Sequence, residues 1–403
     1  MPRTKPQTEK KNHAHSIIVN QKQLREAVTG LGKVVSRLSS LPILKAVRFF
    51  TDNRRAFVEA TDLDQKVIYC FEDAVIEGLP EFIVSLTQVK GFVKIGGDSL
   101  MLEKADGEAL TITNYIGSQK IQQSQVETFE TCEWPTTSIE VDVEFMGGFL
   151  EAFRRLSVFA STDDTRPILN GIHIDTDGRR LVATDGRRLC LMNTMNLRGI
   201  TCSCVVPITK FLTWSKLYGV KVGSGEHHFR ITSGVWDYST KLVGGTYPNY
   251  KQVIPEKREG SPSFTIDDSD VQVLSLILKS LPKEDSVVFM PSVVGFVMMA
   301  HNGSEDNPIS IELIGSSFIG DFSPIGVNGT FFLDAITAGF RSFTNEDDMS
   351  PLRSDDSQDG VFVLMPMRLD PATMSKVVKK CEEIGNKKTK SKSKRMKPLT
   401  NYP

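Results

Sequence analysis

The sequence predicts an α+β protein of three similar domains, each with two helices laid on antiparallel sheet. Three observations carry this reading. First, short motifs recur. Pro42-Ile43-Leu44 and Pro167-Ile168-Leu169 lie 125 residues apart, and Ala60-Thr61-Asp62 and Ala183-Thr184-Asp185 lie 123 apart. Second, each copy follows apolar residues stepping by three or four, the period of an amphipathic helix. These are Leu24, Val28, Leu31, Val35 and Leu38 in one copy and Phe145, Phe149, Phe153, Leu156 and Phe159 in the other. Third, short segments rich in β-branched and apolar residues fill the intervals: 46–50, 66–71, 171–175, 181–184, 228–232, 241–244, 309–313 and 361–365.

Taken in order, the pattern predicts helices over 22–38 and 85–95 in the first copy, and over 145–160 and 208–218 in the second. A third copy is expected at 260–369 from length and architecture, with helices over 271–283 and 331–341, although neither motif survives there. The apolar run 287–300 contains Pro291 and Gly295, so it reads as two buried strands joined by a turn and is too short to span a bilayer. The expected division is a basic tail at 1–15, domains at 16–137, 138–259 and 260–369, and a second basic tail at 370–403. That last tail is Lys/Ser-rich, of the composition that does not support a packed core. Acidic residues 345–359 are expected to form a long surface loop.

The chain has 403 residues, 40% hydrophobic, with a formal net charge of −1. That near-neutral value conceals its parts. The two tails carry +3 and +7, leaving −11 on residues 16–369. The six expected helices hold thirteen basic residues against three acidic, so the rest of the body carries −21. Helices biased in this way suit a face directed at a polyanion, with sequence-independent contacts to phosphate. Few aromatic residues accompany them, which favours a duplex over stacked single-stranded bases.

Several function classes fall away. No apolar leader follows Met1 and no membrane-spanning run is present, so a cytoplasmic protein is expected. The six cysteines are scattered; Cys202 and Cys204 alternate into a strand-like run and do not pair with His227-His228 as a metal set. No phosphate-binding loop, zinc-protease or serine-hydrolase motif occurs. Asp62 and Asp185 sit at equivalent places in separate copies, where an Asp after a strand caps a turn. Neither catalysis nor a cofactor or metal is expected.

Three segments resemble one family. Ala183-Thr-Asp-Gly-Arg-Arg-Leu189, Ser239-Thr-Lys-Leu-Val-Gly-Gly-Thr-Tyr-Pro-Asn-Tyr-Lys-Gln-Val-Ile-Pro255 and Val363-Leu-Met-Pro-Met-Arg-Leu369 are similar, in order, to the bacterial sliding clamps, the DNA polymerase III beta subunits. The resemblance covers about 16–369. It implies three clamp domains per chain, a head-to-tail homodimer closed as a ring, and helices lining the hole. It further implies double-stranded DNA as a sequence-independent partner, and a replicative DNA polymerase, a clamp loader and other clamp-motif proteins as peptide partners. A nucleoid-associated, non-enzymatic processivity factor follows, with a non-loaded scaffold paralogue as the alternative.

By motif, the resemblance places the partner-peptide cleft at Leu169, Thr184, Gly186, Arg187, Arg188, Leu189, Pro248, Val253, Val363, Met365, Pro366, Met367, Arg368 and Leu369. Met, Leu, Pro and Val suit an adaptable apolar groove. Charge and placement nominate Arg25, Lys33, Arg37, Arg154, Arg155, Arg166 and Lys210 for DNA contact. Arg187 stands where the family commonly has His, and the stretch 274–288 departs from the family, leaving the ring interface unassigned.

Overall fold

The computed structural model describes residues 14–36, 38–105, 108–129, 133–135, 141–194, 197–283, 285–292, 295–300, 309–347, 349–356, 360–368, 375 and 379. Both tails lie almost wholly outside these residues, as do Arg37 and Leu369.

One string of elements recurs through the chain, and among the described residues the second copy carries it in shortened form, with one strand and the second helix missing. The first copy runs β1 (Ala14–Asn20), α1 (Gln21–Leu31), a 3-10 turn (Pro42–Lys45), β2 (Ala46–Asp52), β3 (Arg55–Thr61), β4 (Gln65–Phe71), β5 (Val75–Glu77), β6 (Phe82–Ser85), α2 (Leu86–Ile95), β7 (Ser99–Ala105), β8 (Leu110–Ile116) and β9 (Gln119–Val126). The second runs β10 (Glu144–Phe145), α3 (Phe149–Ser157), a 3-10 turn (Pro167–Leu169), β11 (Gly171–Asp175), β12 (Arg180–Thr184), β13 (Arg188–Asn193), β14 (Cys204–Pro207), β15 (Lys221–Ser224), β16 (His228–Ser233) and β17 (Trp236–Lys241). A further 3-10 turn (Tyr250–Val253) precedes the third: β18 (Ser263–Thr265), α4 (Asp268–Ser280), β19 (Ser286–Ser292), β20 (Gly295–Ala300), β21 (Ile309–Leu313), β22 (Ser317–Ile319), β23 (Ile325–Asn328), α5 (Gly329–Thr337), β24 (Ser342–Thr344), β25 (Leu352–Asp355) and β26 (Gly360–Leu364). The third copy thus repeats the strands and helices of the first in order, without its 3-10 turn, despite lacking both motifs. Its pairing repeats too: β1 lies between β5 and β7, and β18 between β22 and β24.

Packing divides the chain differently from the repeat. One compact unit comprises residues 1–151 and 196–243, the other 152–195 and 244–403. The reason is strand sharing. In the first unit β4 pairs with β17, joining copy one to the second half of copy two in the order β10-β15-β16-β17-β4-β3-β2-β6. In the second unit β13 pairs with β26, giving β11-β12-β13-β26-β25-β24-β18-β22. Smaller sheets complete each unit: β5-β1-β7-β8-β9 in the first and β21-β20-β19-β23 in the second. Among the described residues β9 pairs only with β8 and β21 only with β20, so each leaves one edge open.

Aromatic residues dominate both cores. In the first unit Phe211 stacks on Tyr238 with ring centroids 4.5 Å apart, and Trp236 meets Tyr69 at 4.7 Å. In the second unit Phe264 lies within 5.3 Å of Phe289, Phe296, Phe322 and Phe343. Each such buried ring contributes on the order of 1.5–3 kcal/mol by transfer alone.

Several expected elements are shorter or absent. Helix α1 starts at the Asn20 cap, whose side chain accepts from Lys22 N at 2.8 Å, and ends at Gly32 rather than 38. Turns then bring Ser36 N to Leu44 O at 3.2 Å. Phe145 belongs to β10 and is exposed, so α3 begins at Phe149. No helix forms over 208–218. Phe211, Trp214 and Leu217 are all buried at a spacing of three, and Trp214 N and Leu217 N bond three residues back, giving successive tight turns around the aromatic core. The acidic 345–359 stretch is not all loop, since β25 is clamped between β24 and β26 with Leu352 and Ser354 buried. Residues 242–244 follow β17 and are not strand. No helix among the described residues is long and apolar enough to cross a membrane.

Candidate functional site

The two Ala-Thr-Asp segments build the same turn. Thr61 Oγ1 donates to Gln65 O at 2.8 Å, and Thr184 Oγ1 to Arg188 O at 2.6 Å. Asp62 accepts from Asp64 N and Gln65 N, and Asp185 from Arg187 N and Arg188 N, at 2.6–3.0 Å. The fifth residue then reaches back with its side chain: Gln65 Nε2 to Asp62 at 2.8 Å, Arg188 Nε to Asp185 at 2.9 Å. Both carboxylates therefore act as turn caps. Burial lifts the Asp62 carboxyl above the ordinary aspartate range, against the pull of the Gln65 and Asp64 amides.

In the second unit this turn frames the expected cleft. Leu189 pairs with Val363, and Met365 N donates to Arg187 O at 3.0 Å. Leu189 and Val363 are buried with Val182, Leu191 and Tyr250 in one apolar cluster. Leu169 and Thr184 are also buried. Gly186 takes φ +89°, and a Cβ there would meet Arg166 Nη1 at 3.2 Å, so glycine keeps this corner open. Arg187, Pro248, Met367 and Arg368 are exposed, as are Val253 (52%) and Met365 (48%). Pro366 is half-buried, and Met367 N is tied to Gly326 O at 2.8 Å.

Val253 and Met365 share a hollow of about 400 Å³ that also presents Ile254, Pro255, Pro351 and Arg353, which sequence reasoning missed. Tyr250 of that cluster is held by a further group that sequence reasoning missed. Asp175 is buried and accepts from Tyr250 Oη at 2.5 Å and Gly178 N at 2.9 Å, with Lys251 Nζ at 3.2 Å. Burial pushes this carboxyl up, but these donors outweigh it and hold it at about 2. The Tyr-Pro-Asn-Tyr stretch thus latches the Pro248–Val253 wall to β11.

Arg188 is not a groove residue in the sense expected. It is buried, bonded to Asp185, Asp334 (2.6 Å) and Val158 O (2.7 Å), and lies over the rings of Phe159 and Phe331.

The nominated DNA residues separate into groups. Arg25 is exposed on α1, and Arg154 is half-buried on α3. Arg155 is engaged, bridging Asp356 and lying 4.9 Å over Phe340. Arg166 is exposed beside Asp163 at 3.1 Å. Lys33 lies just past the end of α1 and Lys210 in turns where the expected helix does not form; both line a groove of the first unit, with Lys33 Nζ 5.2 Å over Trp214. The helical charge shrinks accordingly. Among the described residues, helices α1 to α5 hold Lys22, Arg25, Lys90, Lys94, Arg154, Arg155 and Lys279 against Glu26, Glu151, Asp268, Asp270 and Asp334, a balance of +2 rather than +10. Lys94, Arg154, Arg155 and Lys279 sit in last turns, where a cation also complements the helix dipole. Lys33, Lys283 and Arg341 lie in the connections that follow α1, α4 and α5, and Lys210 and Lys216 in the turns over 208–218.

Comparison with known proteins agrees with this architecture. The family described as DNA polymerase III beta subunit, central domain, matches residues 147–249. The beta sliding clamp of Pseudomonas aeruginosa is 24% identical over 360 residues, covering 83% of this chain and 95% of its own length. That of Escherichia coli K12 is 26% identical over 220 residues, covering 51% and 59%. Among solved structures, the Caulobacter crescentus beta sliding clamp superposes with a TM-score of 0.75 at 21% identity, covering 89% of this chain and all of that one. The Borrelia burgdorferi DNA polymerase III beta subunit gives 0.75 at 17% identity, covering 88% and 98%. The chain thus has the fold of the bacterial beta sliding clamps, and its residues 147–249 match the family described as DNA polymerase III beta subunit, central domain.

Proposed function

We propose that the chain is a DNA sliding clamp, a non-enzymatic processivity factor that encircles duplex DNA and tethers a replicative polymerase and other clamp-motif proteins. The observation that carries this reading is the recurring element string with its serial strand sharing. Copy one joins copy two through β4 and β17, and copy two joins copy three through β13 and β26. The next joint in the series would use β21, the counterpart of β4 and β13, with β9, the counterpart of β17 and β26. Among the described residues both are sheet-edge strands, each paired on one side only. A second chain supplies the complementary strand, and a head-to-tail contact of this kind closes into a ring when its rotation permits. Ile121 on β9 and Val273 and Leu276 on α4 are exposed apolar side chains, consistent with a covered surface on assembly.

In this reading the three domains follow the repeat, 16–137, 138–259 and 260–369. A clamp loader opens the ring, Arg25, Arg154 and Arg166 face the duplex, and the apolar cleft around Val253 and Met365 receives partner peptides. Light scattering tests the assembly: a mass near twice 44.8 kDa is expected. Ile121→Lys or Leu276→Lys should shift it to the monomer. A wild-type chain that stays monomeric and does not stimulate its polymerase would favour a non-loaded scaffold instead.

A further inference from the structure

The joint inside the first unit leaves open what the joint inside the second unit fills. Arg188 occupies the space beside its turn by reaching Asp334, Val158 O and the rings of Phe159 and Phe331. Its counterpart Gln65 is shorter and is turned away, donating to Asp62 and accepting from Tyr238 Oη at 2.8 Å. Beside it lies a groove of about 1010 Å³, the scale of a ligand cleft.

Two chemistries share its walls. Lys33, Lys90 and Lys210 line it, and Asp62 is the one acidic residue among its described lining residues. That carboxylate is already taken up by the Asp64 and Gln65 amides and the Gln65 side chain, so it leaves the lysine field in place. Val35, Leu38 and Ile208 contribute apolar surface, and Leu38 is 97% exposed.

We propose that this groove is a second docking site, which receives an extended acidic peptide of a partner protein. Asp or Glu side chains of that peptide pair with Lys33, Lys90 and Lys210, while an apolar residue between them seats on Val35, Leu38 and Ile208. A duplex backbone would use the lysines but offers no side chain to cover Leu38. The site goes beyond the clamp reading, because it lies at a different joint from the Val253–Met365 cleft and selects opposite chemistry. Its contacts are solvent-facing charge pairs, so the complex should form fast and weaken with salt.

The test uses the full-length chain and fluorescence anisotropy at low salt. The probe is a labelled peptide of about ten residues in which Asp-Glu pairs flank leucine, a length matched to the cleft scale. A labelled short duplex and a Gln/Leu/Phe peptide aimed at the Val253–Met365 cleft run in parallel. Saturable binding is expected. It should weaken about tenfold in Lys33→Gln/Lys210→Gln and about threefold in Leu38→Ser. The cleft peptide should keep its affinity in every variant. Absence of saturable binding, or binding indifferent to the lysine variants, would overturn the proposal. So would displacement by duplex with no effect of Leu38→Ser, which would make the groove a phosphate-contacting surface. Neither result bears on ring assembly, so failure here and failure of the clamp reading are separable.

Discussion

The turn at Thr61–Gln65 and the turn at Thr184–Arg188 share their hydrogen bonds and differ in the side chain that ends them. In the first, Gln65 folds back and a lysine-lined groove stays open. In the second, Arg188 crosses to α5 and locks the joint, and the accessible surface moves outward to Val253 and Met365. Duplication therefore preserved the frame, while one side chain per copy decided which face of the joint remains available. Buried charge makes the second joint stiff but intolerant; the first is held by aromatic packing and is more forgiving of polar change.

The largest expected effect is at Arg188. Arg188→Met would leave Asp185 and Asp334 without their shared partner, costing about 3–5 kcal/mol. Gln65→Met should cost only about 1 kcal/mol, the worth of an ordinary hydrogen bond. Urea unfolding of both variants measures the contrast, and equal losses would contradict it. Next is Gly30→Ala in the first joint. A Cβ there would sit 2.2 Å from a Trp236 ring carbon, so overpacking of about 1–3 kcal/mol should outweigh the gain in helix propensity. Thermal unfolding reads this directly.

A smaller effect, of opposite sign, distinguishes the turns themselves. Leu63 adopts φ +81° where its counterpart Gly186 has +89°, and the Leu63 side chain is 47% exposed. Leu63→Gly should release about 1 kcal/mol of backbone strain, whereas Gly186→Ala should destabilise by a similar amount. Melting temperatures shifting in the same direction would contradict this pairing.

The subtlest prediction concerns acid. Asp175 titrates at about 2 in the folded chain, below the ordinary aspartate value of 3.8. A depressed folded value contributes stability that is present above pH 3.8 and lost as pH falls through about 2. Urea midpoints of wild type and Asp175→Asn should therefore converge between those limits. A constant gap would mean the Tyr250–Lys251 latch does not depend on that charge.

Much of this was legible beforehand, for identifiable reasons. Thr61–Asp62 and Thr184–Asp185 were readable because a turn-capping Asp needs a fixed offset from its amides. The cleft around Leu189 and Val363–Met367 was nominated by resemblance to the clamp motifs, and it stands as part of the proposed function. Helix lengths were less so. Leu38 continues the apolar period of α1, yet Gly30 and Gly32 end the helix before it. The 208–218 stretch also looked helical, but its aromatic residues are placed by tertiary packing at a spacing of three. The latch of Asp175 to Tyr250 and the bridge from Arg188 to Asp334 join residues 75 and 146 positions apart, which no local pattern announces. Overextended helices also inflated the helical charge: Lys33, Lys283 and Arg341 sit just past helix ends, and Lys210 and Lys216 lie where no helix forms.

The clamp reading is tested most directly by topology. The chain would be loaded on nicked circular duplex, freed of loader and isolated on a sizing column, and the DNA then cut once. Retention on the circle and release on linearisation is the expected result, since an encircling ring is held by closure more than by contacts. Equal release from both forms, or retention on the linear form at high salt, would contradict it.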